Sequence, residues 1–180
     1  SLTMYFALFA KQSILVLSGK AYYGAILPMQ IIMPTLLFIG ISNITGMQIL
    51  IPLGKEKIVL YSEIAGAVTD LIINALLIPT FKSAGAAFGT LVAEFVVLLV
   101  QYVYLRKTVK PLLKKISYWK IVIALCLSGV TSLVVKNVQG GNLLILLISA
   151  MIFYGVYFLS LLIMKETFTI YLYNWVRKTI

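Results

Sequence analysis

The chain has 180 residues, of which 62% are hydrophobic and only 11% are charged, and its mean hydropathy is +1.05. A soluble domain of this size could not bury so much apolar surface, so the composition excludes a soluble protein and predicts an all-α integral membrane protein. The net charge of +10 comes from residues between the apolar runs, as the positive-inside rule expects, which argues against a nucleic-acid partner.

Five to six transmembrane helices are predicted from the apolar runs. The first run is short and contains Lys11, and we expect it to be the end of a truncated helix. The second run is long, and its Pro28 and Pro34 are expected to kink it. The third and fourth are about 20 residues each, enough to cross a hydrocarbon core of about 30 Å. In chain order the runs cover residues 2–17, 22–53, 58–79, 85–104, 119–135 and 142–164.

The positions of the cations predict one transmembrane lobe over residues 1–165 and a cytoplasmic tail. The connector at residues 106–120 contains six cations and no acid, which places it in the cytoplasm. Counting crossings outward from it puts eleven cations inside and three outside, with Lys11 in or near a span. Residues 166–180 are expected to form a short amphipathic tail along the inner headgroups. The sequence therefore predicts a multi-pass protein with a cytoplasmic C-terminus.

The residue types available argue against an enzyme. The chain has no His, one Cys (Cys126) and one Asp, so the usual nucleophilic and metal-binding sets cannot be assembled. Cys126 lies inside an apolar run, which indicates a thiol in the helix packing. We expect no metal and no cofactor.

The third and fourth helices carry polar side chains that a bilayer disfavours. At 100° per residue, each helix places its polar side chains within about 40° of one another, as one stripe. The stripes are Glu63, Asp70 and Asn74 on the third helix, and Thr90, Glu94 and Gln101 on the fourth. An acid at the bilayer centre costs about 2.5–3.5 kcal/mol on insertion scales, so it normally faces protein or a wet cavity. The pattern predicts a lined passage or a polar helix–helix seam.

Two interpretations of the acids stay open on the sequence. In the first, Asp70, Glu94 and Glu63 hold a proton or cation, or contact a hydrophilic substrate, in a water-filled cavity. In the second, they pair with Lys11 or with amide side chains and serve packing. Asp70 is the deepest of the three and Glu94 comes next, whereas Glu63 lies near the cytoplasmic end, where it is also consistent with simple solvation.

Small residues at helical spacing predict a close helix–helix contact. Gly85 and Gly89 form a GxxxG pattern, which Ala93 extends along the same face of the fourth helix. Small side chains allow two helix backbones to approach closely. We interpret this stripe as a packing feature.

Three stretches, at residues 43–57, 66–79 and 84–94, resemble the Wzx-type polysaccharide flippases. These flippases belong to the multidrug/oligosaccharidyl-lipid/polysaccharide exporter superfamily. The matching order is a helix ending in a Gly- and Gln-containing turn, a helix with Asn and a terminal Ile-Pro, and a Gly-Ala-Ala start. Residues 19–25 are similar to the segment before the first of these helices. Asp70 departs from the pattern, since the family leads us to expect Asn there.

The resemblance implies the C-terminal lobe of a two-lobed flippase. Such a protein carries an undecaprenyl-diphosphate-linked oligosaccharide across the bacterial plasma membrane for capsule or exopolysaccharide synthesis. The lipid-linked oligosaccharide, the bilayer, a missing N-terminal lobe and polysaccharide-synthesis proteins are the implied partners. Asp70 and Glu94 are candidates for sensing a coupling ion, and Lys11 for the diphosphate. The alternatives are a multidrug/cation antiporter of the same superfamily and a non-functional truncated remnant.

Overall fold

A computed structural model describes residues 1–113, 117–137 and 141–165. Across these residues the secondary structure is helical and contains no strand, which confirms the all-α prediction. The predicted amphipathic tail at residues 166–180 lies outside the described residues. The α-helices are α1 (Leu2–Leu8), α2 (Ala10–Leu17), α3 (Ile26–Ile32), α4 (Thr35–Asn43), α5 (Glu56–Leu113), α6 (Tyr118–Leu133) and α7 (Asn142–Ile163). Lys20–Ala25 and Val134–Asn137 are 3₁₀-helices, and Ile44–Leu50 is a π-helix.

Within the described residues, Glu56–Lys107 and Asn142–Ile163 are long and apolar enough to cross a membrane, with Glu56–Lys107 counted as one segment across its break at Lys82. A third span is added if Lys20–Ile32 and Thr35–Leu50, which are bent by 43° at a short break, are counted as one. The helix α6 has 16 residues, fewer than the roughly 20 that a perpendicular crossing needs. The prediction of five to six spans therefore stays a prediction.

The bend in the second apolar segment lies at Pro34, as predicted, whereas the bend also predicted at Pro28 is absent. Pro34 separates α3 from α4, because proline has no N–H to donate and its ring clashes with the carbonyl one turn earlier. The Thr35 hydroxyl donates to the carbonyl of Ile32 at 2.6 Å, which satisfies an acceptor at the break. Pro28 lies in the first turn of α3, where a missing N–H has little effect on a helix.

The long helix α5 reverses direction at Lys82, whose φ of 50° and ψ of −128° are not helical. It is therefore a helical hairpin with a first arm at residues 56–81 and a second arm at residues 83–113. The sequence predicted two separate helices with a connector after Pro79. The first arm continues past Pro79, and one residue makes the turn. Each arm is long enough to cross a bilayer, since about 25 residues span about 38 Å at 1.5 Å each.

The helices pack into two groups. In one, α3, α4 and the π-helix lie against the hairpin, and Leu50 packs on Leu105. In the other, α1, α2, α6 and α7 surround an aromatic core that contains Tyr5 and Phe153. The Tyr5 hydroxyl donates to the carbonyl of Leu146 at 2.8 Å, so this buried phenol has a partner. The hairpin group contains the polar stripes.

Candidate functional site

Glycines on both arms of the hairpin bring the two helix backbones together. A Cβ on Gly85 would lie 2.7 Å from the carbonyl carbon and oxygen of Leu77. A Cβ on Gly66 would collide with Val97, and Gly66 also lies against the backbone of Ala93. The predicted small-residue face therefore meets the first arm, and this close approach sets the register of the two polar stripes.

An open acidic pocket of about 210 Å³ lies between the two arms. Glu63 and Asp70, two helical turns apart on the first arm, line it together with Thr90 and Glu94, one turn apart on the second. Its remaining wall is made of small or apolar residues, namely Gly66, Ala67, Ala93 and Val97. The structure thus brings together four of the six polar residues in the predicted stripes.

Two buried side-chain oxygens, one from the pocket residue Asp70 and one from Asn74 a turn away, have no hydrogen-bond partner among the described residues. Asp70 Oδ1 and Asn74 Oδ1 are both inaccessible, and neither has a partner among the described residues. Both lie against Gly89, where a Cβ would overlap Asn74 Oδ1 and come within 3.2 Å of Asp70 Oδ1. An unpartnered buried acceptor costs about 1–3 kcal/mol. A proton, a cation or a donor group of a ligand placed there would recover this free energy.

The electrostatics of the pocket favour positive charge. Three carboxyl groups line it, and no Lys or Arg does. Within residues 1–113, 117–137 and 141–165, no ion pair joins these acids to a basic side chain. Because like charges in one pocket repel each other, binding of a proton or cation stabilises the arrangement.

Gln101 belongs to the predicted stripe but lies outside the acidic pocket. Its side chain is only 1% exposed, and it links the second arm to two other helical segments. The hydroxyl of Thr45, in the π-helix, donates to Gln101 Oε1 at 2.5 Å, and Gln101 Nε2 donates to Ser62 Oγ at 3.0 Å. Gly46 leaves the room for this amide. Gln101 therefore has the contacts of a packing residue.

Thr45 and Ser62 were not predicted from the sequence as partners of Gln101. Within a helix, the hydroxyl of Ser or Thr usually donates to a carbonyl of the preceding turn, as Ser62 does to Val59 at 2.7 Å. The presence of Ser or Thr in a helix therefore does not predict a hydrogen bond to another helix. The π-helix was missed as well. It widens the backbone at the turn that carries Thr45, and such insertions are often found at functional sites.

Lys11 does not line the acidic pocket. It is exposed on α2, and its Nζ lies 5.6 Å from the centroid of the Tyr23 ring. This geometry is a cation–π contact. The alternative in which Lys11 pairs with the stripe acids has no ion pair to support it within the described residues.

Gln101→Leu is expected to lower the thermal unfolding midpoint in detergent by a few degrees. Interhelical hydrogen bonds in membrane proteins are worth about 0.6 kcal/mol on average, up to about 1.7, and the substitution removes two. For a chain of this size, 1 kcal/mol corresponds to about 2–4 °C. Gln48→Leu is the matched control, because Gln48 is exposed on the same π-helix as Thr45. Equal midpoints for the two variants would contradict the packing role.

Comparison with known proteins supports a membrane protein. No protein-family profile matches the chain, and no solved structure does. The chain is 30% identical over 170 residues to an uncharacterized membrane protein of Methanocaldococcus jannaschii, an alignment that covers 91% of this chain. The chain spans about a third of the length of that relative, since the alignment covers 32% of it. The apolar helices and this similarity together support a helical membrane protein with transmembrane segments.

Proposed function

We propose that this chain is the C-terminal lobe of a transporter that moves an undecaprenyl-diphosphate-linked oligosaccharide across the plasma membrane. The observation that carries the proposal is the acidic pocket between two arms that are each long enough to span a bilayer. Placing acids and amides inside spanning helices costs free energy, and such residues are typical of substrate or ion pathways. The resemblance to the polysaccharide flippases supplies the cargo, which neither the pocket nor the relative identifies.

In the proposed mechanism the lobe contributes one wall of a central polar cavity. The sugar part of the cargo contacts polar groups in that cavity, while the prenyl tail stays in the bilayer. Asp70 and Glu94 bind the coupling proton or cation. The charge of this cavity wall therefore differs between the state open to the cytoplasm and the state open to the other side of the membrane. The bend at Pro34 provides a point at which the adjacent helix changes direction. No covalent step is involved.

The test is restoration of surface polysaccharide in a bacterium that lacks its own flippase. The chain is expressed alone and together with the N-terminal half of a related flippase, and surface polymer is measured in both strains. Restoration by the pair would support the lobe assignment, and restoration by the chain alone would indicate that copies of the chain assemble. If neither strain makes surface polymer although the protein is in the membrane, the flippase proposal fails.

A multidrug/cation antiporter is the second candidate function. One observation favours it: three carboxyl groups and no basic side chain line the pocket. A lipophilic cation would be attracted to such a site by charge and by its apolar wall. The measurement is the intracellular accumulation of a fluorescent lipophilic cation in cells expressing the chain. Lower accumulation without any change in surface polymer would favour the antiporter.

A further inference from the structure

An apolar groove lies between α3 and the turn of the hairpin, apart from the acidic pocket. Its volume is about 250 Å³. Every residue that lines it is apolar; these residues are Leu27, Ile31, Leu77, Phe81, Ala84, Gly85 and Phe88. A cavity lined only by such side chains offers no hydrogen bond to water, and apolar cavities of this kind hold apolar ligands. Hydrocarbon is therefore the chemistry that fits the groove.

The groove is open at the surface of the hairpin group. Three of its lining side chains are largely exposed, Leu27 by 57%, Phe81 by 59% and Phe88 by 45%. In a membrane, such surface on a spanning helix contacts lipid. A helix with its side chains is about 10–12 Å across, too wide to enter a groove of this volume, whereas a single hydrocarbon chain is narrow enough.

A lysine lies at the end of the groove where the hairpin turns. Lys82 is the turn residue itself, next to Phe81, and its side chain is exposed. Lys20 begins the helical segment that continues into α3. Pro28 and Ser83 line one pocket, and Thr45 donates to Gln101, so α3 and α4 run parallel to the second arm. The N-terminal end of α3, which follows the Lys20–Ala25 segment, therefore lies at the same end of the hairpin as Lys82.

We infer that this groove binds one acyl chain of an anionic membrane phospholipid, whose phosphate lies at Lys82. The apolar lining accepts the chain, and the lysine at the mouth supplies the complementary charge at headgroup level. A lysine that flanks apolar surface in a membrane extends its ammonium group toward the interface. The inference does not depend on what the chain transports.

Quenching of a single tryptophan by lipids with brominated chains tests this site. The full chain carries Trp119→Phe and Trp175→Phe to remove its own tryptophans, and Phe81→Trp places the reporter in the groove. The protein is reconstituted in vesicles that contain brominated phosphatidylglycerol or brominated phosphatidylcholine at equal mole fraction. Phosphatidylglycerol is expected to bind about fivefold more strongly, the factor that one lysine contributes near an anionic headgroup.

The controls separate this site from ordinary lipid contact. Leu147→Trp in the same background places the reporter on α7, where Leu147 is exposed, and it should be quenched equally by both lipids. Lys82→Gln should remove the preference at position 81 but leave quenching by both lipids. Ala84→Leu should lower quenching by both, because the larger side chain fills the groove.

Three results would overturn the inference. Equal quenching of Phe81→Trp by the two lipids would remove the preference for anionic lipid. A preference that survives Lys82→Gln would show that Lys82 is not the phosphate contact. Lack of quenching by either lipid would show that protein covers the groove instead. Since the Lys82→Gln comparison uses an exposed residue at the turn, it remains decisive if Ala84→Leu fails to fold.

Discussion

Asp70→Asn is expected to lower transport tenfold or more without lowering the stability of the protein. Asp70 Oδ1 is buried beside Asn74 Oδ1 without a partner, so an amide at position 70 can donate to Asn74 and improve the packing. The same change removes the charge that would hold a proton or cation. Contacts to a charged group are worth about 1.5–3 kcal/mol, and about 1.4 kcal/mol corresponds to tenfold. The measurements are surface polymer in the restored strain and the thermal unfolding midpoint.

A glutamate in the pocket and an exposed glutamate outside it allow a controlled comparison of Glu→Gln substitutions. Glu94→Gln should also lower transport, because Glu94 lines the pocket on the second arm. Glu56→Gln makes the identical chemical change at an exposed position at the start of the hairpin, and it should leave transport unchanged. If the Asp70→Asn variant and the Glu94→Gln variant both transport as well as the unmodified protein, the pocket has no role in ion coupling.

Gly85→Ala is expected to destabilise the hairpin by about 1–3 kcal/mol, the usual range for overpacking a tight contact. A Cβ at this position lies 2.7 Å from backbone atoms of Leu77, and backbone can give way only if an arm shifts. The thermal midpoint in detergent should fall by about 2–4 °C for each kcal/mol. The shift would also displace the second arm, so transport should fall along with stability.

Gly155→Ala is the control for this prediction. Gly155 lies in α7 and has open space where a Cβ would be added, so alanine should be neutral or stabilise the helix by up to about 1 kcal/mol. If both variants lowered the midpoint equally, the loss would reflect a general sensitivity of the helices to substitution. The close approach of the two arms would then not be what requires Gly85.

The two predictions differ in how stability and transport change together. Asp70→Asn is expected to lower transport but not stability. The buried carboxylate has no partner inside the protein, so it lowers stability and is needed only to bind a ligand. Gly85→Ala lowers both, because it acts on the contact that sets the register of the arms. Measuring the two quantities on the same samples distinguishes a residue of the site from a residue of the scaffold.

The amino-acid sequence by itself determined the class of protein and much of its local structure. Composition predicted a helical membrane protein, and the bend at Pro34 followed from the missing N–H of proline. Helical periodicity placed Asp70 on the same face as Glu63, and Thr90 on the same face as Glu94. These features depend on residues a few positions apart, whose geometry in a helix is fixed by its rise and turn.

Only the tertiary structure decided which faces meet and where the chain turns. Periodicity indicates that Gln101 shares a stripe with Glu94, but contacts to Thr45 and Ser62 take its amide away from the acidic pocket. The sequence predicted a connector after Pro79, but not that the single residue Lys82 makes the turn, because no glycine marks that positive φ. The periodicity of a helix specifies the direction in which a side chain points but not the residue that it contacts. That residue depends on how closely the two arms approach each other at positions such as Gly85.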